Sequence, residues 1–531
     1  MKKFNPHIRK VSLIFPPSTS LISWEPMAAL PMGIAYLGAV TRDSGYEVSC
    51  LDTVVEAPYR MTQEGEHIGR FGLNYDQVIT WVKRERPDVV GISCIYSNQW
   101  PSTRELARRI KALDPEIIVV TGGTHPSFLA QRCLQDADLD FVVLSEGEYT
   151  FRDLLDRLKH EKPYADLDGL AFHEDGGIRV NPKTSLIENL DELPFPARDL
   201  FPMEKYFKVA LPMAYDFLNI RNTPICTSRG CTCRCTFCSS TNHWMNRYRT
   251  HSPEYVLSEI DHLVKDFGVR ELKFQDDNLT LNRKRAREIF QGMVDRNYGL
   301  SWNTPNGIAI WTLDDEMLKL MKKSGCFSLT LAIESGNQEV MDNLIKKPLK
   351  LEKVIEVNRI MRRLRLVRGA YFIIGLPGET RAQIQDTVNF AHSLKLEAYA
   401  IFIYNPLPGS ELYQTCMEKG YIRGDDFFEE EGNQYFTSVI DSDEWTAEEL
   451  ERIIRKEWFQ NYWSFFRSPY LVGRRWLRFM WFRPNLFRFI FTRTARALKL
   501  QFKKLLLTPA KPVPIKSSES GGPANPGGGV K

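Results

Sequence analysis

The chain has 531 residues, 43% of them hydrophobic and 26% charged. That mix suits a folded protein long enough for two or three cores and excludes a disordered or fibrous one. The net charge of +4 hides an asymmetry, because no acidic residue occurs between Glu457 and Glu519 while Lys and Arg recur there.

The opening Met1-Lys-Lys-Phe-Asn-Pro-His-Ile-Arg-Lys is polar, so no secretory leader is expected. A strand is expected over 11–15, a helix over 32–43, and further strands over 46–52, 89–93, 117–121 and 141–144, with helical patterns between them. Near-continuous apolar strands alternating with helices predict a parallel sheet covered on both faces, a doubly wound, Rossmann-like α/β unit. Ligands of such sheets bind at the carboxyl ends of strands, which puts Ser93, Gly122-Gly123-Thr124-His125 and Ser145-Glu146-Gly147-Glu148 at the expected crevice. His125 reads as a loop residue. Residues 160–215 read as a linker with a small hairpin.

A second series follows: strands over 224–227, 271–274, 301–304, 328–333, 369–374 and 398–404, each followed by a helical pattern. Six β/α units predict an open, partial TIM barrel rather than a closed eightfold one. An amphipathic helix is expected over 446–462, then a basic aromatic segment, then a Gly/Ser/Pro tail with no means of packing. The expected domains are 1–190, 191–430, 431–516 and 517–531. No charge-free run approaches the ~20 apolar residues of a spanning helix.

Five of the ten cysteines lie in Cys226-Thr-Ser-Arg-Gly-Cys231-Thr-Cys233-Arg-Cys235-Thr-Phe-Cys238. Cys231, Cys235 and Cys238 form C-x3-C-x2-C, a triple expected by chance roughly 0.004 times per chain of this composition. Three thiolates hold three irons of a [4Fe–4S] cluster and leave the fourth open to bind a ligand. The competing reading is structural zinc, but Cys235-x2-Cys238 has no second pair to complete four ligands. Cys226 and Cys233 have no role set by spacing. Clustered thiols fit a reducing, cytoplasmic compartment better than disulfides.

The segment 227–240 resembles the signature loop of radical S-adenosylmethionine (SAM) enzymes. That resemblance, over roughly 220–430, implies that Cys231, Cys235 and Cys238 ligate the cluster and that the open iron chelates SAM. It implies that Phe237 lies near the adenine and that Gln275, Asp276 and Asp277 follow the strand that binds the methionine end, although the common Gly-Gly-Glu is missing there. Leu331-Ala-Ile-Glu334-Ser335-Gly336 is similar to the ribose-binding strand, and Ile373-Ile-Gly375-Leu-Pro-Gly378-Glu379 to the adenine motif.

Upstream, no G-x-G-x-x-G or P-loop is present. Ser93-Cys-Ile95, 26 residues, and Gly122-Gly123 instead resemble the Ser-x-Leu…Gly-Gly pair of cobalamin-binding domains. This implies a cobalamin site at Ser93, Ile95, Gly122, Gly123 and Thr124, extended here to Glu146 and Gly147. The D-x-H-x-x-G motif that supplies a lower cobalt ligand is missing, which fits base-off cobalamin without a histidine ligand. Over roughly 8–430 the arrangement resembles the cobalamin-dependent radical SAM subclass.

Residues 464–507 alternate Trp476, Phe479, Trp481, Phe482, Phe487 and Phe491 with Arg475, Arg478, Arg483 and Arg488. Two readings stay open: peripheral contact with the inner face of a membrane, or helices capping the barrel. No nucleic-acid partner is expected, since the cations join no recognition module. The resemblance implies a radical SAM C-methyltransferase, in which a 5′-deoxyadenosyl radical activates an unactivated carbon of a hydrophobic or lipid-like small molecule that takes a methyl group from methylcobalamin. A flavodoxin or ferredoxin would donate electrons. The alternative within the subclass is an oxidative cyclase acting on a tetrapyrrole or lipid; outside it, a cobalamin or redox sensor.

Overall fold

The buried runs Val89–Ser93 and Ile118–Gly122 form the centre of a seven-stranded sheet. Its order is Gly177–Val180, Leu170–Glu174, Phe141–Val143, Ile118–Gly122, Val89–Ser93, Lys10–Phe15, Glu47–Asp52. The five strands from Glu47–Asp52 to Phe141–Val143 are parallel, with Ser12 opposite Val90 and Val90 opposite Val119. Their order, 2-1-3-4-5 in the chain, reverses between Lys10–Phe15 and Val89–Ser93, and that switch opens a crevice at the carboxyl ends. The hairpin expected in the linker adds antiparallel strands to the far edge of this sheet. Two further departures stand here. Ser18–Leu21, Met61–Gln63 and Ile68–Phe71 form a small antiparallel sheet that the sequence pattern did not predict, and His125 lies on the helix Thr124–Cys133 rather than in a loop.

The second sheet holds six parallel strands in chain order: Asn222–Ile225, Glu271–Phe274, Ser301–Ile308, Cys326–Glu334, Val367–Ile374 and Ala398–Ile403. This is the open barrel that the six β/α units predicted. The helix Pro253–Phe267 illustrates how its units are punctuated. Ser252 Oγ accepts from Tyr255 N (3.1 Å), Pro253 occupies the first turn where no amide is needed, and Gly268 closes the helix at φ +61°. The open edge strand Ala398–Ile403 is covered by the helix Ala447–Arg467, whose Glu457 Oε2 accepts from Tyr399 Oη (3.2 Å) and pairs with His392 Nε2 (2.7 Å).

This computed structural model describes residues 5–21, 28–64, 68–209, 218–423 and 437–467, all in one compact unit, Met1–Phe479. Beyond residue 467, the basic aromatic segment and the tail over 517–531 lie outside the described residues. Among the described residues, no helix is long and apolar enough to cross a membrane.

Candidate active site

The cysteine loop leaves the first barrel strand through the two-residue ladder of Ser228–Arg229 with Arg249–Thr250. Gly230 turns it at φ +82°, where a Cβ would run into the carbonyl of Arg247, and its amide donates to Asp277 Oδ2 (3.1 Å). Cys231 Sγ then accepts from the Cys233 amide (3.4 Å) and Asn278 Nδ2 (3.6 Å). The Cys233 thiol, with these amides, draws the Cys231 pKa down to about 6. Burial pushes Cys235 up to about 12 and Cys238 up to about 11, and all three thiols are near enough to act on one another. Thr236 pins the loop to the π-helical turn Val340–Ile345, donating from Oγ1 to Leu344 O (2.5 Å) and from its amide to Ile345 O (3.1 Å).

Among the described residues, no three His, Cys, Asp or Glu side chains converge as a single-ion site. Three soft thiols carried on one loop are the donor set of an iron–sulfur cluster that keeps one iron open.

The strand ends of the barrel bring further side chains to this loop. Asp276 Oδ1 accepts from Thr227 N (3.2 Å), Thr227 Oγ1 (2.6 Å) and Ser228 Oγ (2.6 Å), while its Oδ2 is buried and unpartnered. Asn278 Oδ1 is likewise buried and unpartnered. Asp277 Oδ2 also accepts from Ser240 Oγ (3.2 Å), so it braces both ends of the cysteine loop. Gln275 accepts at its carbonyl from Asn306 Nδ2 (3.0 Å). Glu334 sits at φ +74° with Oε1 2.7 Å from Lys347 Nζ. Glu379 is fully buried; its Oε2 accepts from Gly375 N (2.7 Å) and Leu376 N (3.1 Å), its Oε1 is unpartnered, and burial raises its pKa to about 8. Phe237 packs half-buried against the main core.

Ser335 is fully buried; its hydroxyl meets Thr387 Oγ1 (3.1 Å) and accepts from Asn337 N (3.1 Å), so it joins a strand end to the helix Arg381–Ser393.

At the crevice of the first sheet, Ser93 stands half-buried opposite Gly122. The Ile95 and Tyr96 amides donate to Gln99 Oε1 (2.9 and 3.2 Å). Gly123 takes φ +117°, and a Cβ there would come within 2.5 Å of Cys94 O; at Gly122 it would lie 3.2 Å from Val143 O. The glycines thus let two strand-end loops close on each other, leaving a floor of backbone on which a flat group can lie. Thr124 begins the helix beyond. His125 stacks on Trp100 (5.5 Å), bonds Ser97 Oγ (3.0 Å), and is held neutral by burial, with its pKa lowered to about 4. It is spent within the fold. Glu146, expected at the cofactor, gives its oxygens to Arg229 (2.6 Å), Arg249 (3.0 and 2.8 Å) and Ile187 N (2.6 Å). Gly147 caps the helix Glu148–Lys159.

These contacts turn the two sheets' carboxyl ends toward each other. Ser145 Oγ donates to His243 O (2.5 Å), and Phe128 fills the space that a Cβ on Gly409 would need. Sequence reasoning missed Arg229 and Lys347, and read Asn278 only as the end of the segment 274–278 without a role of its own. Only Asn278 carried a signal, being next to the predicted Gln275-Asp276-Asp277.

Residues 27–155 match the B12 binding domain model and residues 225–391 the Radical SAM superfamily model. The chain is 34% identical over 443 residues to the cytidylyl-2-hydroxyethylphosphonate methyltransferase of Streptomyces wedmorensis, covering 78% of this chain and 83% of that one. It is 27% identical over 445 residues to the anaerobic magnesium-protoporphyrin IX monomethyl ester cyclase of Rubrivivax gelatinosus, covering 82% and 74%. Its fold is similar to that of the radical SAM methyltransferase TsrM of Kitasatospora setae, solved with tryptophan substrate and a SAM analogue, at a TM-score of 0.62 and 16% identity over 78% of this chain and 77% of that one. The chain belongs to the B12-binding radical SAM family: it is a radical SAM enzyme whose cofactors are a [4Fe–4S] cluster, SAM and cobalamin.

Proposed function

We propose that the enzyme methylates an unactivated carbon of a hydrophobic small molecule held between the facing ends of the two sheets. The observation that carries this reading is the closure of the two crevices on one another through Ser145 and His243 and through Phe128 and Gly409. When bound, the cluster and cobalamin supply the one-electron and methyl-transfer chemistry that side chains lack.

The chain's own residues bind, orient and exclude water. Cys231, Cys235 and Cys238 hold the cluster. Asn278 orients Cys231 through its amide, and its unpartnered oxygen, with Asp276 Oδ2, would take the amino end of SAM. Glu334, held by Lys347, takes the ribose. Glu379 braces the Gly375–Leu376 turn, and that turn and Phe237 would receive the adenine. Ser93, Ile95, Gly122, Gly123 and Thr124 receive the nucleotide tail of cobalamin.

An apolar barrel wall supports a hydrophobic substrate. Tyr371 Oη donates to Pro305 O (2.8 Å), past the intervening strand Cys326–Glu334, and so lies on the concave face. Ile373 shares that face by strand periodicity, Phe402 pairs with Ile373, and the Tyr371 and Phe402 rings lie 5.6 Å apart. Gly307 and Ala332 keep the neighbouring strands small.

A flavodoxin- or ferredoxin-like donor supplies electrons, and the basic aromatic segment contacts an anionic cytoplasmic membrane surface; failure of the full chain to co-sediment with anionic liposomes would refute the membrane contact. The similarity to a ring-forming enzyme favours a second reading, oxidative cyclisation. Anaerobic turnover with candidate substrates, read at high mass accuracy, separates the two: methylation adds one CH2 to the product, whereas cyclisation removes two hydrogens or exchanges two hydrogens for an oxygen.

A further inference from the structure

We propose that the turn Ser145-Glu146-Gly147-Glu148 is a positioning clamp that fixes the cysteine loop against the crevice of the first sheet, and thereby sets the separation of the two cofactors. This deepens the two-cofactor reading above and rests on it.

The turn grips the loop on both sides of the cysteines. Ahead of them, Arg229 donates from Nη1 to Glu146 Oε1 (2.6 Å) and from Nη2 to Glu148 Oε1 (2.7 Å). Arg249, its ladder partner, also donates to Glu146, and both residues keep 10% or less of their side chains exposed. Behind them, Ser145 Oγ donates to His243 O. Arg229 stands one residue before Gly230 and two before Cys231, so moving its guanidinium moves the first thiol.

The other end of the clamp is wired into the crevice floor. Ser145 N donates to Ser127 Oγ (2.7 Å), which itself donates to Gly123 O (2.6 Å). Three hydrogen bonds therefore connect the Gly123 turn to the end of the cysteine loop. Ser145 holds φ +55°, a conformation that a serine keeps only where its surroundings over-determine it. Burial disfavours the ionised form of Glu146, yet Arg229 and Arg249 hold its pKa below the ordinary value. Two carboxylates and two guanidiniums in one buried network are a stiff joint, because removing any one leaves a buried charge without its partner.

An ordinary structural tie would also stabilise the fold, so the test needs a readout that stability alone does not move. In the full chain loaded with cluster and cob(II)alamin, pulsed EPR gives the distribution of distances between the reduced cluster and Co(II). Glu146→Gln is expected to broaden or shift that distribution, with about a twofold increase in width, while a control that breaks another buried pair, Glu259→Gln beside Arg198 (2.7 Å), leaves it narrow. In the cofactor-free full chain, amide exchange over 228–244 should speed up in Glu146→Gln and not in the control. If Glu146→Gln does not fold, Glu148→Gln and Ser145→Ala each remove one arm and should broaden the distribution less. An unchanged distribution in loaded variants overturns the clamp alone; a wild-type chain that holds no cobalamin overturns the two-cofactor reading and the clamp with it.

Discussion

Lys347 Nζ stands 2.7 Å from Glu334 Oε1 and donates to Ala332 O, also at 2.7 Å. It lies 13 residues downstream, past the π-helical turn that pins Thr236. Burial pulls the Lys347 pKa down, but Glu334 and Cys235 push it up further, and the net shift is upward. The ammonium therefore stays charged between the proposed ribose-binding carboxylate and the cluster thiols.

Replacing that cation tests its role. Lys347→Met strands Glu334 in a buried, left-handed position, a loss of about 3 kcal/mol by the usual cost of breaking a buried pair. The expected outcome is a lower Tm and weaker SAM binding to the cluster-loaded chain by equilibrium dialysis. Unchanged affinity would remove Lys347 from the site.

The five clustered cysteines should separate into two groups. Alanine at Cys231, Cys235 or Cys238 should abolish the cluster's visible absorbance and the reductive cleavage of SAM. Cys233→Ala should keep both, because the backbone amide of residue 233 and Asn278 still donate to Cys231. Cleavage surviving Cys235→Ala would break the ligand assignment.

Glu379 gives a pH signature in the cofactor-free chain. Its pKa rises from 4.5 unfolded to about 8 folded, through burial. The folded state thus binds the proton more tightly, and this stabilisation is complete below 4.5 and lost as pH climbs toward 8. Across that window the wild type should lose on the order of 3 kcal/mol that Glu379→Gln does not lose. Denaturant midpoints measured from pH 5 to 8 check this; parallel curves would contradict it.

The two crevice glycines should differ in tolerance. Gly123→Ala meets both φ +117° and the Cys94 carbonyl at 2.5 Å, a cost of order 1–3 kcal/mol, and should lose cobalamin on gel filtration. Gly122→Ala, with its nearest contact at 3.2 Å, should retain more.

What the sequence disclosed follows from range. The cysteine spacing is local, and the strands of both sheets are continuous apolar runs, so both were legible. Ser18–Leu21 was not, because Ser-Thr-Ser-Leu has no apolar run to mark it. The helix carrying His125 was hidden by Pro126, which a first turn tolerates because its amide needs no partner there. Glu146 is expected at a ligand from strand-end position and Ser335 from resemblance to the ribose-binding strand, and neither signal discloses a hydrogen-bond partner. Their actual partners, Arg229 and Thr387, lie 83 and 52 residues away and follow no periodicity. Lys347 and Arg229 escaped for the same reason.

The central claim is that one chain carries both a radical SAM cluster and a cobalamin and uses them together. The most direct measurement is anaerobic reconstitution of the full chain with iron, sulfide and cobalamin, followed by reduction in the presence of SAM. The account predicts one cobalamin retained per chain and formation of 5′-deoxyadenosine that is lost in Cys231→Ala. Retention of neither cofactor, or SAM left intact by the fully loaded chain, would contradict it.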